Sequence, residues 1–178
     1  MVRFEIQLDQ ASPGWATILL RTDERTLTIP CSSVGGDCLD EIVRAFISLA
    51  EGDHRASATV GCYGEPECTV LRLKRRGEIL EISATCFSWE GDRAQTAKVQ
   101  RALNSMKPKD WAKMIDSRNK SAKLRQSAAL DETIASLIQA FQAIEKQHGA
   151  NGYKSIWGFE FPSAELATLG QDRSPSVD

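Results

Sequence analysis

Five cysteines and two histidines are the residues of this sequence best suited to chemistry: Cys31, Cys38, Cys62, Cys68, Cys86, His54 and His148. A thiol beside an imidazole can serve as a nucleophile, which makes Cys31 or Cys38 with His54 or His148 the first pairing to weigh. Neither cysteine carries a flanking signature. His54 follows Gly52-Asp53 at a helix–strand junction, and His148 falls in the last turn of an expected helix, where a cation complements the dipole. The spacings Cys31-x6-Cys38 and Cys62-x5-Cys68 match no common zinc-ligand pattern, and there is no CxxC pair. Cys62 and Cys86 occupy apolar strand positions, where free cysteine behaves as a small hydrophobe. The expectation is reduced, structural thiols, with no catalytic residue, no metal centre and no cofactor.

Other groups carry weaker signals. Gly35-Gly36 precedes a helix as a phosphate loop would, but no Lys-Ser/Thr follows, and Asp37 would repel phosphate. Glu65 and Glu67 flank Pro66 at a hairpin tip, where paired carboxylates have no pocket in which to act. Residues 93–125 hold ten Lys or Arg against two Asp, whereas residues 1–92 hold nine basic against fifteen acidic side chains. An acidic body therefore carries one basic segment. Lys107, Lys109, Lys113, Arg118, Lys120, Lys123 and Arg125 could meet phosphates, but Trp111 is the sole aromatic among them, which gives base stacking little support.

The elements that must position these groups are legible as alternation and periodicity. Residues 3–8, 15–21 and 26–29 alternate as strands, with Pro30 expected to end the third. Asp37 is a good N-cap, with Asp40 and Glu41 in the first helical turn. Leu39, Ile42, Val43, Phe46 and Leu49 follow at helical spacing until Gly52. Residues 54–89 read as three more strands with turns at Glu65-Pro66 and Arg76-Gly77. The expected architecture is α+β: an antiparallel sheet of about six strands (βββ-α-βββ) covered by the crossing helix, then a C-terminal group of helices. Burying the helix's apolar face contributes ~1.5–3 kcal/mol per large side chain before entropy. After residue 90 the pattern predicts helices over Ala94–Met106, around Trp111, and from Leu130 to a stop at Gly149. Residues 117–127 are polar enough to be loop or exposed helix.

At 178 residues, 42% hydrophobic and 26% charged, the chain has the make-up of one globular domain. Residues 1–90 would form sheet and helix, 91–170 a helical extension packed on them, and 171–178 a frayed tail. No apolar run reaches the roughly 18 residues of a spanning helix. The start MVRFEIQLD lacks a secretory pattern, so a cytoplasmic protein is expected.

Two stretches carry a resemblance. Gly14-Trp15, the loop and helix from Cys31 to Leu49, and the Glu65-Pro66 turn before a basic hairpin form the first. Tyr153, Trp157, Phe161-Pro162, Leu166 and Leu169 form the second. Together, over roughly residues 14–89 and 151–169, these are similar to small bacterial proteins that resemble immunity proteins of polymorphic-toxin and contact-dependent growth inhibition systems. The resemblance implies a non-enzymatic protein whose partner is a cognate toxin domain, many of which are nucleases. Asp37, Asp40, Glu41, Glu65, Glu67, Glu90 and Asp92 would then offer charge complementary to a basic partner. The alternatives are a nucleic-acid-binding protein using residues 93–125 and a small enzyme, for which the sequence supplies no convergent set of groups.

Overall fold

The computed structural model of the chain describes residues 1–64, 67–88 and 120–171. β1 (Arg3–Leu8), β2 (Trp15–Arg21) and β3 (Thr26–Ser32) form an antiparallel three-stranded sheet. Its register stacks Ile6, Ile18 and Ile29 in one row and Leu8, Ala16 and Cys31 in the next. β4 (Ser57–Gly64), β5 (Glu67–Arg76), β6 (Ile79–Ser88) and β7 (Lys120–Ala129) form a second antiparallel sheet in that order. The α+β arrangement anticipated from the pattern is present, but the strands divide into two sheets and a seventh joins them.

The division has a local cause. β3 runs through Pro30 to Ser32 instead of ending there, because an edge strand tolerates a residue with no N–H to donate. β4 approaches that edge closely. A Cβ added at Gly64 would lie 2.4 Å from the Pro30 carbonyl oxygen. The two edges touch at a proline and a glycine, and no ladder links the sheets.

β7 occupies residues whose sequence favoured loop or exposed helix. Leu124 pairs with Ala84 and is buried, whereas Arg125 pairs with Ser83 and is exposed. On the inner side Leu124 is followed by Gln126 and Ala128, which give hydrophobic periodicity almost nothing to register. The pairing partner β6 decides the conformation.

α1 (Cys38–Glu51) buries Leu39, Ile42, Val43, Phe46 and Leu49, as its spacing predicts, and packs against β4. Its C-terminal carbonyls are satisfied by Arg75 of β5: the guanidinium Nη1 donates to the oxygens of Leu49, Ala50 and Gly52 at 2.9, 3.0 and 3.3 Å. α2 (Leu130–Trp157) packs on β1. At Gly149, where the sequence predicts a stop, φ is +67° and the helix kinks, then resumes to Trp157. α3 (Ser163–Gln171) rests on α1 and α2. One cluster of buried side chains joins both sheets and all three helices. The helices expected at 94–106 and near Trp111, the Glu90–Asp92 turn and the tail beyond Gln171 lie outside the described residues. No helix among the described residues is long and apolar enough to cross a membrane.

Candidate functional site

The N-terminal end of α1 gathers the most chemistry. Asp37 caps the helix, accepting from the Asp40 amide at 3.2 Å. The same carboxylate oxygen accepts from Trp157 Nε1 at 2.8 Å, which ties the end of α2 to the start of α1. Trp157 is wholly buried, so its N–H must find an acceptor, and Asp37 is that acceptor. Two backbone bonds draw the β1–β2 turn into the same knot: Gly14 N donates to Ile156 O at 2.6 Å and Ser33 N to Gly14 O at 2.8 Å. Gly14 holds φ at +86°, and a Cβ there would meet Ser33 Oγ at 2.7 Å, so glycine is needed for both reasons.

Burial pushes the Asp37 carboxyl above its usual range, although the Trp157 and Asp40 hydrogen bonds pull it back. Glu41 is also shifted up, by desolvation first and then by the negative charges of Cys62, Asp37 and Asp40, although its side chain reaches solvent. Asp40 is bridged by Arg44 at 2.6 Å, and Arg44 reaches Glu165 of α3 at 2.6 Å. Exposed pairs of this kind contribute little stability.

Beneath this acidic end lie three thiols. Cys31 comes from β3, Cys62 from β4, and Cys38 is the first residue of α1. Their sulfur atoms all lie within 4.8 Å of one another, and the side chains are 0, 0 and 4% exposed. Hydrogen bonds to Cys31 and Cys62, with burial, push the Cys38 thiol well up, and the hydrogen bonds that Cys62 accepts from Cys31 and Cys38 hold it well down. None of the five cysteines is in a disulfide. Cys86 accepts from Thr69 Oγ1 at 3.1 Å, and burial drives the Cys68 thiol far above its ordinary value. The Tyr153 hydroxyl is buried with no hydrogen-bond partner among the described residues, and desolvation, with the Asp37 carboxylate nearby, pushes it above its ordinary range.

A second, oppositely charged region is the outer face of the four-stranded sheet. Arg72, Lys74 and Arg125 line a cavity of ≈ 620 Å³ with Glu81, Ser83, Gln126 and Ser127. The register explains it: Arg72, Ser83 and Arg125 form one cross-strand row, and Lys74, Glu81 and Ser127 the next.

Of the acids singled out in the sequence, Asp37, Asp40 and Glu41 come together. The side chain of Glu67, and all of Glu65, Glu90 and Asp92, lie outside what the structure describes. His54 is exposed in a turn, and His148 Nδ1 lies 3.3 Å from Gln10 Nε2, so the thiol group consists of cysteines alone. From the basic segment 93–125, Arg125 reaches the sheet cavity. The triad escaped the sequence because its members are separated by six and twenty-three intervening residues along the chain and meet only where β3, β4 and α1 converge. Arg75 and Trp157 were missed as positioning groups for the same reason. The one usable sign was Pro30-Cys31 beside Asp37-Cys38, a loop that had to fold back.

No family model matches this sequence, and no curated protein does. Among solved structures, the fold is similar to a chain of the CdiA-CT/CdiI toxin and immunity complex from Enterobacter cloacae. The identity is 12%, the TM-score 0.42, and the likeness covers 78% of this chain and 99% of that one.

Proposed function

We propose that this chain is an immunity protein, which binds a cognate toxin domain with nuclease activity and neutralises it by covering the active site. The observation that carries this reading is the acidic end of α1, where Asp37, Asp40 and Glu41 are fixed on a helix locked by Trp157. A nuclease surface is basic because it must attract phosphates, and a rigid acidic surface raises the rate of encounter with it. The motifs at Gly14-Trp15, Cys31–Leu49 and Tyr153–Leu169 point the same way. Such a role asks for a stable scaffold and a charged surface, and for no reacting group.

The test is co-expression with the variable C-terminal domain of a large secreted protein encoded beside this gene. Rescue of growth and co-purification are the expected results. Glu41→Lys, and charge reversal at Glu65, Glu67 and Glu90, should each slow association about tenfold at low salt, with less effect at high salt. If every reversal leaves affinity unchanged, this surface is not the interface. Asp37 is excluded from that set because it holds Trp157.

The sheet cavity favours one other reading, a nucleic-acid contact through Arg72, Lys74 and Arg125. Failure to bind DNA or RNA at low ionic strength eliminates it.

A further inference from the structure

We propose that Cys31, Cys38 and Cys62 form a structural Zn²⁺ site. Three elements that are distant in sequence bring three sulfurs within 4.8 Å of one another, all buried, at the point where the two sheet edges meet. Zn–S bonds of about 2.3 Å place tetrahedral thiolates about 3.8 Å apart, so the group closes on an ion with a shift of an ångström or less. Thiolates select soft cations, which sets aside Mg²⁺ and Ca²⁺.

Charge decides between the remaining candidates. Binding runs as Zn²⁺ + 3 RSH → Zn(SR)₃⁻ + 3 H⁺, leaving one negative charge where Cu⁺ would leave two. Cys38 is the first residue of α1, so the residual charge sits at the positive end of a helix dipole. The three sulfurs supply three of the four tetrahedral positions, and water takes the fourth. The site pins β3, β4 and α1 together where Pro30 and Gly64 forbid a ladder. It therefore does for the junction of the two sheets what hydrogen bonds do within each.

Protein unfolded in chelator and reductant, then refolded, is titrated with Co²⁺. One equivalent should produce thiolate-to-metal charge transfer and tetrahedral ligand-field absorption, which Zn²⁺ then abolishes. Wild-type Tm should rise with Zn²⁺, fall on chelation and ignore Mg²⁺. C68A and C86A should keep the absorption, and C38S and C62S, checked for folding by circular dichroism, should lose it. The wild-type titration stands whether or not those variants fold. Absence of Co²⁺ absorption and of a Zn²⁺-dependent Tm in the wild-type protein overturns the site. So does recovery of Cys31, Cys38 or Cys62 in a disulfide with no metal, or absorption that survives in both C38S and C62S.

Discussion

The N-terminal end of α1 and the outer face of the four-stranded sheet carry opposite charge and are built in opposite ways. At the first, Asp37 and Asp40 are tied to other groups, and Glu41 stands exposed beside them. Asp37 caps a helix and receives Trp157, Arg44 joins Asp40 to Glu165, and the β1–β2 turn hydrogen-bonds to the end of α2. At the second, Arg72, Lys74 and Arg125 are exposed side chains on a regular ladder, and among the described residues none makes an ion pair within 4 Å. Asp37 and Trp157 spend their polar groups on holding the fold, so mutations at them act on stability before they act on any partner, while Glu41 is left exposed. The second region can change its chemistry with little structural consequence.

The sharpest way to break this contrast is Trp157→Ala. The side chain is fully buried, stands 6.3 Å from the Phe159 ring and supplies the hydrogen bond that Asp37 receives. Truncation opens a large cavity and strands a half-buried carboxylate, for a loss of about 3–5 kcal/mol measured by urea denaturation. A loss below about 1 kcal/mol would mean that α1 and α2 are not coupled through this contact.

Asp37 gives the intermediate case. Asp37→Ala removes a cap and leaves the Trp157 N–H unpaired, costing about 1–3 kcal/mol. Asp37→Asn keeps an acceptor for both donors, and asparagine caps about as well as aspartate. Near-wild-type stability of the Asn variant beside a clear loss in the Ala variant would show that hydrogen bonding, not charge, is what this position supplies. Equal losses in both would show that the negative charge itself matters at the helix end.

The same contrast explains what the sequence made legible. The strands at 3–8 and 15–21 and the α1 face from Leu39 to Leu49 announce themselves because their apolar residues are large and regularly spaced. Asp37 reads as a cap because its role is local. β7 does not, since its inner face is built mostly from alanine and glutamine and its conformation is set by β6. The split into two sheets hides in Pro30 and Gly64, which are ordinary turn and edge residues until the strands are placed side by side. The kink at Gly149 reads as a stop because glycine commonly ends helices, and the packing of Tyr153 and Trp157 carries this one on. Of the candidate site, the acids were visible as residue types. Their fixation by Trp157, and the thiols beneath them, depend on long-range contacts that no local pattern encodes.

The smallest effect belongs to the sheet face. Arg72→Glu and Arg125→Glu replace exposed side chains in a row whose middle member is Ser83. Neither buries a charge nor opens a cavity, so each should change stability by no more than about 0.5 kcal/mol. Their effect on recognition is where the two regions separate. If the acidic end of α1 is the toxin surface, both variants bind the toxin domain as the wild type does, and a double-mutant cycle with Glu41→Lys is additive because the sites are independent. If instead Arg72→Glu weakens toxin binding at unchanged stability, the partner is held on the basic face. The charge argument then inverts: the toxin would present acid to this protein, and the rigid end of α1 would be scaffold alone.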